Sequence, residues 1–199
     1  MFQANGLGDV GTVSVFTSTD GGHSPEQLAE MAINQAMCGS YKKEITVGIH
    51  FWMTHSRGDS SSIAADTFKI AMFTSSRTDA NEDLTGYTTA NEVSGTAYSA
   101  GGEALASVTL GLSDNSSSVP TAFLDFADTT WSTSTISNAR VAVIYNSTLS
   151  GAGTGGTVTH SAYPSVCVID FGGDKSSSAG DFTIQYPAND ANNAIIRIA

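Results

Sequence analysis

The sequence is poor in charged residues, and most of the charges that it has are negative. Charged residues make up 14% of the 199 positions, well below the figure of about 25% that is typical of globular domains. Lysine and arginine number 8 against 19 aspartates and glutamates, which gives a formal net charge of −11. Because nucleic-acid binding draws its affinity from clustered basic side chains, this balance predicts that neither DNA nor RNA is a partner.

Cysteine is also scarce, and no apolar run is long. Cys38 and Cys167 lie far apart in the sequence and lack the spacing of a metal site, so we interpret both as buried free thiols. No segment approaches the roughly 20 apolar residues of a membrane-spanning helix, which predicts that a membrane is not a partner. No basic-then-apolar leader opens the sequence, and we therefore expect synthesis in a cytoplasm.

The sequence is rich in hydroxyl side chains and in short β-branched runs. Serine and threonine supply roughly a quarter of all residues, well above average usage. From residue 57 onward, polar clusters alternate with apolar runs, without helical periods between them, which is typical of a β-sandwich or barrel. We predict an antiparallel β-sandwich, Ig-like or jelly-roll-like, with seven to nine short strands. The predicted strands are residues 67–73, 107–112, 121–126, 141–145, 166–171, 182–186 and 194–198, with weaker candidates at 87–90 and 131–136.

Two kinds of segment refine this prediction. The continuous apolar runs at 141–144 and 166–169 predict central strands, and the apolar ending at 195–198 predicts a last strand that is tied into a sheet. The polar clusters predict turns. They are residues 57–62, 75–83, 113–118, 150–156 and 172–180.

A glycine-rich arm and a helical segment precede the predicted sandwich. The first 22 residues contain too little apolar surface for a core, and we predict an extended arm that is ordered by docking. Ser24, Pro25 and Gln27 then match a helix start with its capping box, and this helix should end at Gly39. A second short helix is predicted from about residue 41 to residue 52, although part of this stretch also suits a strand. The predicted domains are an arm at 1–22, a helical segment at 23–56 and a β-sandwich at 57–199.

The apolar residues of the first two segments are the candidate partner-binding residues. Short helices are marginal in water on their own, so this part of the chain must pack on the sandwich or on another protein. The candidates are Val13, Val15, Phe16, Leu28, Met31, Ile45 and Trp52. We identify no catalytic residue, no cofactor and no metal site.

The short motifs of the sequence lack the setting that their chemistry needs. Glycine patterns at residues 6–11 and 151–156 match a dinucleotide fingerprint but do not join a strand to a helix. His50 has no partner at zinc-ligand spacing, and we interpret it as a ring packed on Trp52 or bonded to the backbone. Asp125 and Asp128 do not belong to a calcium-binding loop. The tripeptide at residues 57–59 matches a cell-adhesion motif, which we interpret as a polar turn.

Several motifs in the second two thirds of the chain resemble a family of tailed-bacteriophage virion proteins. They occur in the same order over residues 67–199. They are residues 69–76 (KIAMFTSS), 87–102 (YTTANEVSGTAYSAGG), 123–131 (FLDFADTTW), 140–146 (RVAVIYN), 169–175 (IDFGGDK) and 193–198 (NAIIRI). Residues 23–30 (HSPEQLAE) also resemble the helix opening of small phage structural proteins. The chain departs from the family pattern in a polar insertion at residues 54–62.

The resemblance implies a non-enzymatic structural protein of the virion, made in the cytoplasm of a host bacterium. Our leading hypothesis is a capsid decoration, or cement, protein on the capsid surface. In this hypothesis the amino-terminal segment, which is nearly balanced in charge, binds the major capsid protein, and the acidic sandwich faces outward. We also expect self-association.

Two alternatives stay open. One is a tail, neck or fibre-associated protein that contacts other virion proteins. The other is a sandwich that binds host surface glycans. In that reading, the sugar-stacking side chains would be Trp131, Tyr145, Tyr163 and Tyr186.

Overall fold

The described residues fold into antiparallel β-sheets and one short helix. A computed structural model describes residues 14–17, 34–56, 62–113, 120–155 and 157–198. The strands are β1 Ser14–Thr17, β2 Asn34–Met37, β3 His55–Ser56, β4 Ser62–Ile63, β5 Phe68–Phe73, β6 Gly95–Thr96, β7 Glu103–Ala104, β8 Thr109–Ser113, β9 Thr121–Asp125, β10 Thr129–Asn146, β11 Gly153–Gly155, β12 Val158–His160, β13 Ser165–Gln185 and β14 Ile196–Ile198, and the helix α1 is Gly39–Ile45.

Strands β10 and β13 form the centre of the larger sheet, whose order is β1-β13-β10-β5-β7. Ala142 lies opposite Ile169 and Val143 opposite Val168, and β5 pairs with the other edge of β10. The predicted central strands at 141–144 and 166–169 are therefore confirmed. They are almost entirely buried, as expected for apolar runs that are covered on both faces.

A smaller sheet of order β14-β9-β8 packs against the larger one. Leu124, Phe126 and Ile196 from the smaller sheet and its flank share one buried core with β5, β10 and β13. This arrangement confirms the predicted antiparallel sandwich. It also confirms that the carboxyl-terminal run is tied into a sheet, because Ile196 pairs with Leu124.

The strands differ from the prediction in length. Instead of seven to nine short strands, the described residues contain two long ones, β10 and β13, together with many shorter ones. The polar cluster at 172–180, which we predicted to be a turn, lies inside β13 and pairs with β10. The weaker candidate at 131–136 is part of β10, whereas 87–90 belongs to a loop.

Hydroxyl side chains explain why this polar stretch stays in the sheet. The β10–β13 ladder has several register shifts between Trp131 and Val141. There, the Ser177 hydroxyl lies 2.7 Å from the Ser134 hydroxyl and accepts a hydrogen bond from the Ile136 amide at 3.1 Å. Serine thus replaces backbone partners that the bulges remove, so polarity in this segment does not indicate a turn.

The prediction of a helix that ends at Gly39 is wrong for the part of that helix which the structure describes. Residues 34–37 form β2, which pairs with residues 167–170 of β13, while residues 18–33 lie outside the described residues. Pairing with the edge of β13 outweighs the weak helical preference of this short stretch. The helix α1 begins directly after Cys38 and is the counterpart of the second predicted helix. It ends at Ile45 rather than near residue 52, and Gly48 with φ of 71° follows in the turn.

The amino-terminal segment attaches to the outer edge of β13 at two places. Strand β1 pairs with residues 182–185 and β2 with residues 167–170, both antiparallel to β13. Both strands thus belong to the larger sheet, and the domain boundaries at residues 22 and 56 stay a prediction. Val15 and Phe16 lie opposite Ile184 and Thr183 in this register.

The two cysteines are buried free thiols, as predicted. Cys38 precedes α1 and donates its backbone amide to the carbonyl of Val166 at 2.9 Å, while Cys167 lies in β13. Burial raises the pKa of the Cys38 thiol to about 12 and that of Cys167 well above its usual value. Both side chains therefore behave as small apolar core residues.

Candidate functional site: an apolar groove beside helix α1

An apolar groove lies between helix α1 and the smaller sheet. Its volume is about 380 Å³, which falls within the range of small-molecule and side-chain binding pockets. The groove is lined by Tyr41, Ile45, His50, Trp52, Leu110, Gly111, Ala122, Phe123, Leu124, Ile196 and Ile198.

The sheet side of the groove consists of two rows of apolar residues. Register places Leu110, Leu124 and Ile196 side by side, because paired residues of neighbouring strands share a face. The next row is Leu112, Ala122 and Ile198 in the same order; Ala122 and Ile198 line the groove, and Leu112 continues the row beyond it. Leu124 and Ile196 are buried, but Leu110 is 48% and Leu112 66% exposed. The apolar face of the sheet therefore continues past the core into an uncovered region.

The opposite side of the groove is built on Trp52. Its indole stacks on Phe68 with ring centroids 3.4 Å apart, and its Nε1 donates a hydrogen bond to the Tyr41 hydroxyl at 2.9 Å. Ile45, at the end of α1, is half-buried against the same core. Two of the candidate partner-binding residues, Ile45 and Trp52, thus line one groove.

The structure does not bring the other five candidates into this groove among the residues that it describes. Val15 and Phe16 belong to β1, whose described pairing is with β13. Val13, Leu28 and Met31 lie outside the described residues. Sequence reasoning missed Leu110 and Leu112, although it predicted their strand. The alternation of apolar and polar residues at 109–113 indicates a strand with one apolar face, but it does not show whether that face is covered.

A buried polar network supports the α1 side of the groove. Glu44 is 1% exposed, and its Oε2 lies 2.7 Å from Nε2 of His50. The Nδ1 of His50 lies 3.2 Å from Nδ2 of Asn146, which also donates to Asp66 Oδ2 at 2.8 Å. Because the Asn146 amide nitrogen is a donor, Nδ1 must be the acceptor, and the ring proton resides on Nε2, from which it is donated to Glu44.

This environment corrects our interpretation of His50. The ring packs on Tyr41 and Phe68 rather than on Trp52, and side chains rather than the backbone bind both of its nitrogens. A general base needs a free nitrogen within reach of a substrate proton, and neither nitrogen of His50 is free. The groove is therefore suited to bind apolar groups rather than to transfer protons.

A second, polar pocket of about 260 Å³ contains two arginines. Arg140 donates from Nε to Asp170 at 3.0 Å. Arg77 is buried over the ring of Phe73, and it donates to the carbonyls of Thr88 at 3.0 Å and Ala90 at 3.3 Å. Each guanidinium is thus held by acceptors of the protein itself, which makes this pocket a poorer candidate for binding a ligand.

The aromatic residues of the glycan alternative lie mostly in the core. Trp131, Tyr145 and Tyr186 are 2%, 3% and 6% exposed. Tyr163 is half-buried and meets Tyr145 edge to face, with ring centroids 6.1 Å apart. A sugar ring stacks on an exposed aromatic face, and the three buried side chains offer none.

Asp125 is a buried carboxyl group near the end of β9. It is 2% exposed, its Oδ1 accepts the Phe126 amide at 2.9 Å, and its Oδ2 has no hydrogen-bond partner among the described residues. Burial raises the pKa of this group to about 6, and the nearby carboxylates of Asp128 and Asp190 add to the rise. Over the described ranges, no group of three or more His, Cys, Asp and Glu side chains is arranged to hold a metal ion.

The raised pKa predicts a pH-dependent gain in stability from Asp125→Asn. The folded state holds the proton more tightly than the unfolded state, so this group lowers stability as pH rises from about 4 through about 6. At pH 8, the variant should be more stable than wild type by about 1–2 kcal/mol, and the difference should vanish near pH 4. Urea unfolding at a series of pH values measures it. A matched exposed variant, Asp83→Asn, should show no such trend, and a pH-independent effect of Asp125→Asn would contradict the prediction.

No protein-family model matches the chain, and no curated protein or solved structure matches it either. Among the residues that the structure describes, no helix is both long enough and apolar enough to cross a membrane. The function is therefore inferred from the groove, the charge distribution and the sequence resemblance.

Proposed function

We propose that the chain is a structural protein of a tailed-phage virion, and more specifically a capsid decoration protein. It binds the coat lattice through its amino-terminal segment and displays the acidic sandwich outward. The observation that carries this proposal is the separation of charge along the chain. Residues 1–57 hold 3 basic and 5 acidic residues, and the remainder holds 5 basic and 14 acidic ones, from totals of 8 and 19.

The position of the amino-terminal segment supports this division of roles. Strands β1 and β2, the described strands of this segment before α1, both pair with the outer edge of β13 and so lie at one edge of the larger sheet. Exposed carboxylates, including those of Asp79, Asp83 and Asp128, lie in loops of the sandwich after residue 57. A strongly negative surface keeps densely displayed copies from adhering to each other or to nucleic acid.

The apolar groove supports a role in assembly. It is lined by the exposed Leu110 of β8 together with Ile45 and Trp52, and both ring nitrogens of its histidine are occupied by hydrogen bonds. Uncovered apolar surface of this kind is typical of sites that contact other proteins. Each such contact of a decoration protein can be weak, because its repetition over a lattice raises the overall affinity.

The test is the copy number of the chain in purified virions, measured by quantitative mass spectrometry against the major capsid protein. A decoration protein is expected at the same order of abundance as the coat. A handful of copies per particle would favour the tail or neck instead, and absence from the particle would overturn the structural assignment.

A binding measurement with particles that lack the protein tests the proposed contact. A chain without residues 1–22 should bind at least about a hundredfold more weakly than the full chain, because the repeated contact is lost. The exposed variant Asp83→Asn should bind like wild type. Urea unfolding of the truncated chain verifies that the sandwich still folds, and undiminished binding by a folded, truncated chain would contradict the role of the amino-terminal segment.

A further inference from the structure

Strand β8 ends the smaller sheet, and no described residue pairs with its outer edge. In the part of the chain that the structure describes, β8 pairs with β9 alone. Its residues Thr109–Ser113 include no charged side chain and no proline. Edge strands usually carry such residues because bare backbone donors and acceptors invite another strand.

The sequence of β8 is symmetric about its central residue. Thr109 and Ser113 are both small hydroxyl residues, Leu110 and Leu112 are identical, and Gly111 lies between them. Two-fold antiparallel pairing with Gly111 opposite its own copy would bring Leu110 opposite Leu112 of the second copy and Thr109 opposite Ser113. Such pairing meets the requirement of an isologous interface, in which the same patch serves both partners.

The two faces of the strand suit this arrangement. Leu110 and Leu112 are 48% and 66% exposed on the groove side, and pairing would gather the leucines of both copies into one apolar cluster that continues the groove. At the axis, a Cβ on Gly111 would lie only 2.2 Å from the ring of Phe123. Glycine at this position thus lets the Phe123 ring lie across the strand next to the two-fold axis.

The charge of the chain favours contact between two copies at the β8 edge, because this edge carries no charged side chain. Each chain carries a net charge of −11, so two copies repel each other over most of their surfaces. The hydroxyl and leucine pairs of β8 would place no carboxylate opposite another. Like charges directly opposite each other in a sheet are destabilising, and this edge avoids that cost.

We propose that two copies of the chain form a dimer by antiparallel pairing of their β8 edges, with Gly111 at the two-fold axis. The dimer joins two three-stranded sheets into one of six strands and covers the exposed leucines of both copies. It does not depend on the proposed virion role, because it forms between copies of the free chain.

Sedimentation velocity of the full chain over a range of concentrations tests the dimer. Wild type should sediment as a dimer, and Leu112→Asp should weaken association by at least about a hundredfold, because the symmetry places two carboxylates in the leucine cluster. Met53→Asp is the matched control, since Met53 is also an exposed apolar residue, at 53%, but lies outside β8; it should remain dimeric. A monomeric wild type, or equal association of wild type and Leu112→Asp, would overturn the proposal.

Cross-linking tests the register. An equimolar mixture of Thr109→Cys and Ser113→Cys should form a disulfide-linked dimer under mild oxidation, because the proposed pairing sets these positions opposite each other. Thr109→Cys alone should cross-link far less, since its two copies would be four residues apart along the strands, roughly 13 Å, beyond the reach of a disulfide. Equal cross-linking of the single variant and the mixture would refute the register. Both measurements use free protein, so they can fail while particle binding succeeds, and the reverse.

Discussion

Replacement of Gly102 by alanine is expected to lower the free energy of unfolding by about 3–5 kcal/mol, through steric overlap and backbone strain together. Gly102 has φ of 66°, and a Cβ there would lie 1.8 Å from the carbonyl oxygen and 2.6 Å from the carbonyl carbon of Ile70. The obstacle is backbone rather than a flexible side chain. Ile70 belongs to β5, is 0% exposed and pairs with Ile144 of the central strand, so it cannot move aside without disturbing the core.

The effect should extend into the loop before β7. The Gly102 amide donates to the carbonyl of Ser99 at 2.9 Å, and the neighbouring carbonyl of Gly101 accepts from the Tyr145 hydroxyl at 2.8 Å. A displaced residue 102 would weaken both bonds. We therefore expect the near-ultraviolet circular dichroism of the tyrosines to change along with the urea midpoint.

Gly173→Ala is the matched control for this prediction. Gly173 lies in β13, where an added Cβ meets nothing within 4 Å, and its φ is not in the left-handed region. Its substitution should change stability by no more than about 0.5 kcal/mol. Similar urea midpoints for the two variants would show that the close approach of Gly102 to β5 is not a constraint on the fold.

The core strands were predictable because their signal is local. The runs at 141–144 and 166–169 are apolar at successive positions, and their short length and β-branched residues favour a strand that is covered on both faces. The pairing of these two strands with each other could not be predicted. Register depends on which residues meet across the sheet, and here it includes bulges where side chains such as Ser134 and Ser177 supply the missing hydrogen bonds.

The loop at 87–102 shows a different limit. Sequence alone suggested a weak strand at 87–90, yet the residues wrap around one carboxylate. Glu92 accepts hydrogen bonds from the hydroxyls of Tyr87 and Tyr98 and from the amide of Gly101, each at 2.7 Å. The spacing of these residues has no helical or strand period, so periodicity could not have indicated that they share one acceptor.

The groove was only half predictable. Ile45 and Trp52 were singled out because they share an apolar face at helical spacing, and the structure places both at the groove although the helix stops at Ile45. The exposure of the β8 leucines could not be predicted, because it depends on how much of the smaller sheet the larger sheet covers. The network of Glu44, His50 and Asn146 joins α1 and the loop after it to β10. His50 and Asn146 are 96 positions apart in the sequence, and no local sequence pattern can show that two such distant residues are in contact.

That network leads to the other large effect, which is expected for His50→Ala. Removing the imidazole would leave the buried Glu44 carboxylate without its 2.7 Å donor and the Asn146 amide without its 3.2 Å acceptor. Leaving a buried carboxylate without its hydrogen-bond donor costs about 1–3 kcal/mol or more, because the group is charged, and the lost contacts with Tyr41 and Phe68 act in the same direction. Urea unfolding should therefore show a total loss of at least about 3 kcal/mol from the unsatisfied carboxylate and the lost packing together.

His160→Ala is the matched control, because His160 is a half-buried histidine of β12 whose ring nitrogen bonds the neighbouring Ser161 carbonyl at 2.9 Å. It should cost no more than about 1 kcal/mol, the net worth of an ordinary hydrogen bond. Equal losses of stability in the two histidine variants would mean that the buried network stabilises the fold no more than an ordinary hydrogen bond does.

A double-mutant cycle separates the network from simple loss of packing. Glu44→Leu combined with His50→Phe replaces the polar pair by apolar side chains, and such replacements are often neutral or stabilising, whereas removal of one partner is not. We expect the double variant to be more stable than either single variant, with a coupling free energy of about 1–3 kcal/mol. Additive losses would mean that Glu44 and His50 act independently, and that the hydrogen bond between them does not contribute a coupling free energy of its own.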